Sequence, residues 1–206
     1  MDRMQARFVA LWSRNGGMRA DAVFADLARR YAEPVRHYHT LRHVRRCLDD
    51  FDLTRNAIPN PDAVELALWC HDVVYVPGAS DNEPLSADWF RRWADEHIAA
   101  RERICDAILA TRHTNMPNEL DARFACDIDL AVLGAPRSRF RDDGARLRAE
   151  RPDVDDRTYD LQERAILGNL LARPRIYFTD FFYLRCEAGA RANLAWRLGL
   201  QMPAQC

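Results

Sequence analysis

The stretch Asn60-Pro-Asp-Ala-Val-Glu-Leu-Ala-Leu-Trp-Cys-His-Asp72 reads as a helix that is apolar almost all round and ends in two ionisable residues. Asn60 suits the cap and Pro61 the first helical position. The run Ala63 to Cys70 belongs in a core, so His71 and Asp72 arrive at its buried end. Desolvating an imidazole and a carboxylate together is unfavourable unless a partner binds them, and a divalent cation satisfies both at once. Taken alone, the dipeptide reads equally as a helix-terminal histidine with an aspartate capping the next turn.

Helical periodicity continues on both sides, and strand alternation is nearly absent. Phe8, Leu11 and Trp12 mark a short first helix, stopped by Asn15-Gly16-Gly17. A second runs from about Ala20 to Tyr31 with Val23, Phe24, Leu27 and Tyr31 on one face, and Pro34 ends that stretch. Leu41, Val44, Cys47, Leu48 and Phe51 form a third apolar stripe. After Asp72, Val73 to Gly78 reads as an extended stretch leading into a loop. Ser80-x-x-Glu83 resembles a capping box opening a helix through Leu85, Trp89, Phe90 and Trp93. Further helices are expected at about 101–113, 121–133, 137–149, 157–172 and 180–199, with Thr179 as the cap of the last. No low-complexity linker or repeat divides the chain. The expectation is one all-α domain over 1–206, with a metal-binding helical core at about 20–135 and C-terminal helices at about 137–200 packing on it.

All 30 basic residues are arginine, against 31 acidic residues, giving a formal charge of −1. That balance argues against a general nucleic-acid binder, and any cationic phosphate contact must be a guanidinium fork. Cysteines stand at 47, 70, 105, 126, 186 and 206, with no Cys-x-x-Cys pair; they read as small buried hydrophobes in a reducing compartment. Met1 to Leu11 does not read as a signal peptide, and no apolar stretch approaches the ~18 residues of a membrane span. A cytoplasmic protein with no membrane partner is expected.

Two further pieces complete a constellation. His39 and His43 are four apart, a spacing that puts both on one helical face and suits a metal; the alternative is a solvated basic face beside Arg36, Arg42, Arg45 and Arg46. Asp127 and Asp129 lie among Phe124, Ala125, Ile128, Leu130, Val132 and Leu133, where a buried carboxylate needs a partner: an ion, or one of the many arginines. The order His, His-Asp, Asp, with two imidazoles and two carboxylates on helices, suits a hard or borderline ion such as manganese, magnesium, iron, cobalt or nickel better than a thiolate zinc site.

This arrangement resembles the HD superfamily of metal-dependent phosphohydrolases, and more narrowly its bacterial branch of predicted HD phosphohydrolases. The stretches that carry the resemblance are Tyr31 to His43, His71 to Tyr75, Asn82 to Ala87, Ile108 to His113 and Asp127 to Leu130, with a further likeness from Tyr177 to Leu200 that includes Glu187, Arg191 and Asn193. The resemblance implies an all-α HD-type bundle that hydrolyses a phosphate ester with one or two divalent ions (manganese, magnesium, iron, cobalt, nickel or zinc). It implies His43, His71, Asp72 and Asp129 as ligands, with Asp129 preferred to Asp127, and Asp72 bridging if two ions bind. His113 falls where some members place an extra histidine for a second metal or a substrate phosphate. His37 and His39 line the pocket on this reading. Asn82, Glu83 and Ser86 lie in a loop roofing it, with Glu83 orienting or deprotonating the attacking water or else serving as a capping partner. Arg36, Arg42 and Arg112 are the candidate phosphate forks.

The expected substrate is a nucleotide or other small phosphorylated metabolite. Two rivals are an HD-fold oxygenase with two irons and a non-catalytic nucleotide- or metal-binding module. Trp89, Phe90 and Trp93 read as core or a homodimer face in preference to a base-stacking platform, Arg137 to Arg148 as an exposed helix with ion pairs, and the aromatic run at Tyr177 to Tyr183 as the element that docks the last helix.

Overall fold

The computed structural model describes residues 3–200, which form ten α-helices and, among the described residues, no strand. They are α1 (Arg3–Arg14), α2 (Ala20–Tyr31), α3 (Leu41–Thr54), α4 (Pro61–Cys70), α5 (Asn82–Ala94), α6 (Arg101–Ala110), α7 (Leu120–Leu130), α8 (Arg137–Ala149), α9 (Asp156–Leu171) and α10 (Asp180–Leu198), with 3-10 turns at Arg55–Ala57 and Ala131–Gly134. By its internal contacts the chain divides into two compact units, one ending at Asp129 and one beginning at Leu130. No helix of the described residues is long and apolar enough to cross a membrane.

In the first unit α4 is the centre. Every residue from Ala63 to Cys70 is buried, as its all-round apolarity demands, and α1, α3, α5 and α6 pack around it. The α1 stripe Met4, Phe8, Leu11, Trp12 faces this helix and α2. Phe8 meets Trp69 edge-on at 5.3 Å between ring centroids and stacks on Trp12 at 5.6 Å. The exception in α4 is Glu65, a carboxylate only 2 % exposed that Arg7 Nε and Arg55 Nη1 reach at 2.7 and 3.0 Å. Paired guanidinia are what make such a charge tolerable in a core helix. Gly17 is required by close approach, since a Cβ there would fall 2.3 Å from the Trp12 indole nitrogen.

Several helix ends differ from the sequence reading. Asn60 precedes α4 but does not cap it; its side chain donates to Asp121 instead, at 2.8 Å. The Ser80-x-x-Glu83 capping box does not form, because α5 starts at Asn82 and Asp81 is the residue before it. Asn82 and Ser86 do not roof a pocket from a loop. They are buried in the first turns of α5 and bond to the backbone of Val76 and Val74, pinning the irregular 73–81 segment. Trp89 and Phe90 are core residues, 1 % and 0 % exposed, not a free face.

The second unit is organised by α10. Gly134 and Gly189 let the 3-10 turn lie against that helix: a Cβ on Gly189 would stand 2.8 Å from the Gly134 carbonyl oxygen. Buried Glu187 accepts from the backbone N–H groups of Ile176 and Tyr177 and pairs with Arg191 at 2.7 Å. Arg191 in turn donates to the carbonyls of Leu171, Arg173 and Pro174. Asn193 bonds the carbonyls of Leu133 and Ala135, and the Tyr177 hydroxyl donates to the Leu130 carbonyl. Thr179 precedes α10 without a side-chain cap bond, whereas Asp155 caps α9 through the Thr158 N–H at 2.7 Å.

One buried-edge carboxylate links α2 to α5 and gives the fold a pH dependence. The Trp89 indole N–H donates to Asp26 at 2.7 Å, and Arg29 and Arg30 pair with the same carboxylate. Burial opposes the charged form, but the indole and the two guanidinia outweigh it and lower the Asp26 carboxyl to about 2. Because the folded value lies below the unfolded one, this contribution is complete above about pH 4 and is lost as pH falls through about 2. D26N should therefore lose less stability than the native chain between pH 4 and pH 2 in urea unfolding; parallel losses would contradict this account.

Candidate metal centre

Three helix termini converge on one buried point. His43 lies in the first turn of α3, His71 immediately follows α4, and Asp129 sits in the last turn of α7. His43 and His71 are 3 % and 1 % exposed. Thr40, whose side chain accepts from the Arg42 N–H, starts α3 and so fixes where His43 emerges. The His71 Nδ1 lies 3.0 Å from the Leu68 carbonyl oxygen, which can only accept. That contact places a proton on Nδ1 and turns Nε2 inward, the usual way a protein orients a ligating imidazole.

The two Nε2 atoms are 3.1 Å apart. Asp129 Oδ1 is 3.0 Å from His43 Nε2 and 3.5 Å from His71 Nε2. Asp72 Oδ2 is 3.0 Å from His71 Nε2 and 3.6 Å from His43 Nε2. A cation bound at about 2.0–2.2 Å to nitrogen and oxygen keeps neighbouring donor atoms about 3.0–3.6 Å apart, depending on coordination number. The distances from each carboxylate oxygen to the two imidazole nitrogens, and between those nitrogens, fall in that range.

Electrostatics agree with the geometry. Burial disfavours the His71 imidazolium, yet Asp72 and Asp129 overcome it and hold the ring well above its ordinary value. Burial likewise opposes ionised Asp72 and Asp129, and the surrounding imidazoles keep both carboxyls well below theirs. The site is thus a pair of carboxylates that holds positive charge against desolvation, and a divalent cation supplies that charge more compactly than protons do.

A buried cluster of His43, Cys47, His71 and Asp129, whose donor atoms lie within 4.8 Å of one another, can hold a metal ion. Cys47 is one turn beyond His43 on α3; by composition it reads as a small hydrophobe, and its i+4 spacing from His43 is the signal that finds it. Its sulfur lies 3.9 Å from His43 Nδ1 and 3.7 Å from Nε2, beside the ring instead of ahead of the Nε2 lone pair. Burial also pushes the Cys47 thiol well above its usual value, which favours the neutral form. Asp72 Oδ2, 3.0 and 3.6 Å from the two Nε2 atoms, is a further oxygen donor beside this cluster.

The remaining expected residues divide. Asp127 is fully buried and lies two residues, about 200°, around α7 from Asp129, which is the carboxylate at the histidines. His113 Nε2 is 2.8 Å from the second oxygen of Asp129. The expected helix 101–113 ends at Ala110, and His113 takes a left-handed φ of 57°. His39 does not share a helical face with His43, because Thr40 caps α3 after it; it stacks on Tyr75 at 4.3 Å instead. Burial foremost, then the charge of Asp72, raises the Glu83 carboxyl, with Arg112 and His113 opposing. Arg42 and Arg112 are exposed and donate to the carbonyls of His37 and Ser80. Arg36 corrects an expectation: its guanidinium is fully buried and holds backbone carbonyls, so it is not a phosphate fork.

No protein-family model, curated protein or solved structure matches the chain.

H71A should abolish retention of manganese, cobalt or nickel through desalting while leaving helical circular dichroism intact. C47A should retain the same metal content as the native chain. Loss of metal in C47A would make the thiol a ligand after all.

Proposed function

We propose that the protein is a metal-dependent phosphohydrolase of the HD type, acting on a phosphate ester of a nucleotide or another small metabolite. The observation that carries this reading is the convergence of His43, His71, Asp72 and Asp129, each carboxylate oxygen 3.0–3.6 Å from the two imidazole nitrogens, in the order that the HD resemblance implies. A divalent cation held there supplies Lewis acidity toward a phosphoryl oxygen and makes water a stronger acid.

The chain's own groups then have distinct tasks. Asp72 and Asp129 stay ionised and keep the cation's charge in place. Glu83, whose carboxyl is raised by burial and by Asp72, is the candidate acceptor of a water proton. His113, held by Asp129, and His39, stacked on Tyr75, border the ligand cluster. Arg42 and Arg112, exposed guanidinia that donate to the carbonyls of His37 and Ser80, are the candidate forks for equatorial phosphate oxygens.

A second reading has one observation in its favour. Asp129 directs its two oxygens at different imidazoles, Oδ1 at His43 and Oδ2 at His113, which is how a carboxylate shared by two ions would stand. A two-iron oxygenase would use that arrangement, and bound iron with oxygen consumption but no phosphate release would favour it.

The deciding experiment is elemental analysis of the purified protein followed by a phosphate-release screen over nucleotides and aryl phosphates with manganese, magnesium, cobalt or nickel. Turnover should appear with at least one of these metals and vanish in H71A and D72A. E83Q should keep its metal and lose about 10²–10⁴-fold in rate. Full activity in D72A would end the hydrolase reading.

A further inference from the structure

Arg36 touches no expected ligand side chain, yet it is the most heavily committed cation near the site. Its side chain is 0 % exposed, and Nε pairs with Glu33 at 3.1 Å. Nη1 donates to the carbonyl of Asp72 at 2.6 Å and to that of His39 at 3.2 Å, and Nη2 donates to the carbonyl of Val73 at 3.1 Å. Its central carbon lies 5.2 Å from the Tyr31 ring centroid and 5.3 Å from that of Tyr75. Tyr31 is itself anchored, its hydroxyl donating to the Trp69 carbonyl in α4 at 2.9 Å.

These contacts join two segments that carry ligands. One is the turn from Glu33 to Thr40, which delivers His43 into α3; the other is the turn after α4, which carries Asp72. The carbonyls beyond a helix end have no partner within the helix and must find donors elsewhere. One planar fork supplies them here and fixes the peptide planes at Asp72 and Val73. We infer that Arg36 is a positioning residue for the cation: by locking the backbone at Asp72, it holds that carboxylate on His71 and His43 without contacting the cation itself. The inference rests on the metal reading of the site.

Two consequences separate this role from ordinary packing. Outer partners of ligating groups typically govern metal affinity by about 10–100-fold. Lysine cannot replace the fork, because a single ammonium does not span three carbonyls and a carboxylate in one plane or lie flat between two rings. Once the Asp72 side chain is removed, Arg36 has no carboxylate left to position.

The test titrates cobalt(II) into the full chain and its variants, following heat and visible absorption, with urea unfolding of the cation-stripped proteins alongside. R36K and R36M should bind cobalt about 10–100-fold more weakly than the native chain, with altered ligand-field bands. R36K combined with D72A should bind no more weakly than D72A alone. Should both Arg36 variants fail to fold, E33A, which frees only the half-exposed partner of Nε, must weaken cobalt binding in the same direction. Native affinity and an unchanged spectrum in R36K, whatever its unfolding midpoint, would overturn the inference and leave the metal reading standing. A folded native chain that takes up no cobalt would overturn both.

Discussion

Two imidazole nitrogens held 3.1 Å apart in a buried site constrain everything around them. Such a pair cannot carry two protons pointed at each other, and both rings are buried. The carboxylates of Asp72 and Asp129 make the arrangement stable by favouring positive charge between them. For that to work, the start of α3 and the ends of α4 and α7 must meet in one small volume and present the correct atoms. The caps, glycines and buried ion pairs of the first unit can be understood as what holds those three ends in place. Glu65 anchors α4 to Arg7 and Arg55. Thr40 sets the start of α3, and Asp121, bonded to the Asn60 N–H and side chain, ties the start of α7 to that of α4.

Much of this was legible in the chain itself. The all-round apolar run of α4 is a local property, and so is the i, i+3, i+4 stripe Phe8, Leu11, Trp12 of α1; both are buried as their periodicity implies. The choice of Asp129 over Asp127 followed the family pattern, and helical geometry explains why only one of two residues 200° apart can face the histidines. What failed was whatever depends on a distant partner. Asn60 reads as a cap until Asp121, far along the chain, claims its side chain. His39 reads as the partner of His43 on one face until the Thr40 cap places it outside the helix. Arg36 is indistinguishable in sequence from its solvated neighbours, because nothing local announces that three carbonyls will surround it.

An all-arginine cation set also takes on a different meaning. In the sequence it limits how phosphate can be held. In the structure, guanidinium planes serve repeatedly as internal struts: Arg36 on the turn after α4, and Arg191 on the carbonyls between α9 and α10. Each binds backbone oxygens left over where a helix stops. A rigid fork with several donors suits that task better than a single ammonium.

The left-handed backbone at His113 carries a last implication. Just past the end of α6, such a conformation is ordinarily the province of glycine, and an imidazole-bearing residue there gives up about 1–2 kcal/mol. Glycine at that bend would relieve the cost but remove the Nε2 contact with Asp129, so backbone ease and the ring's place beside that carboxylate pull in opposite directions.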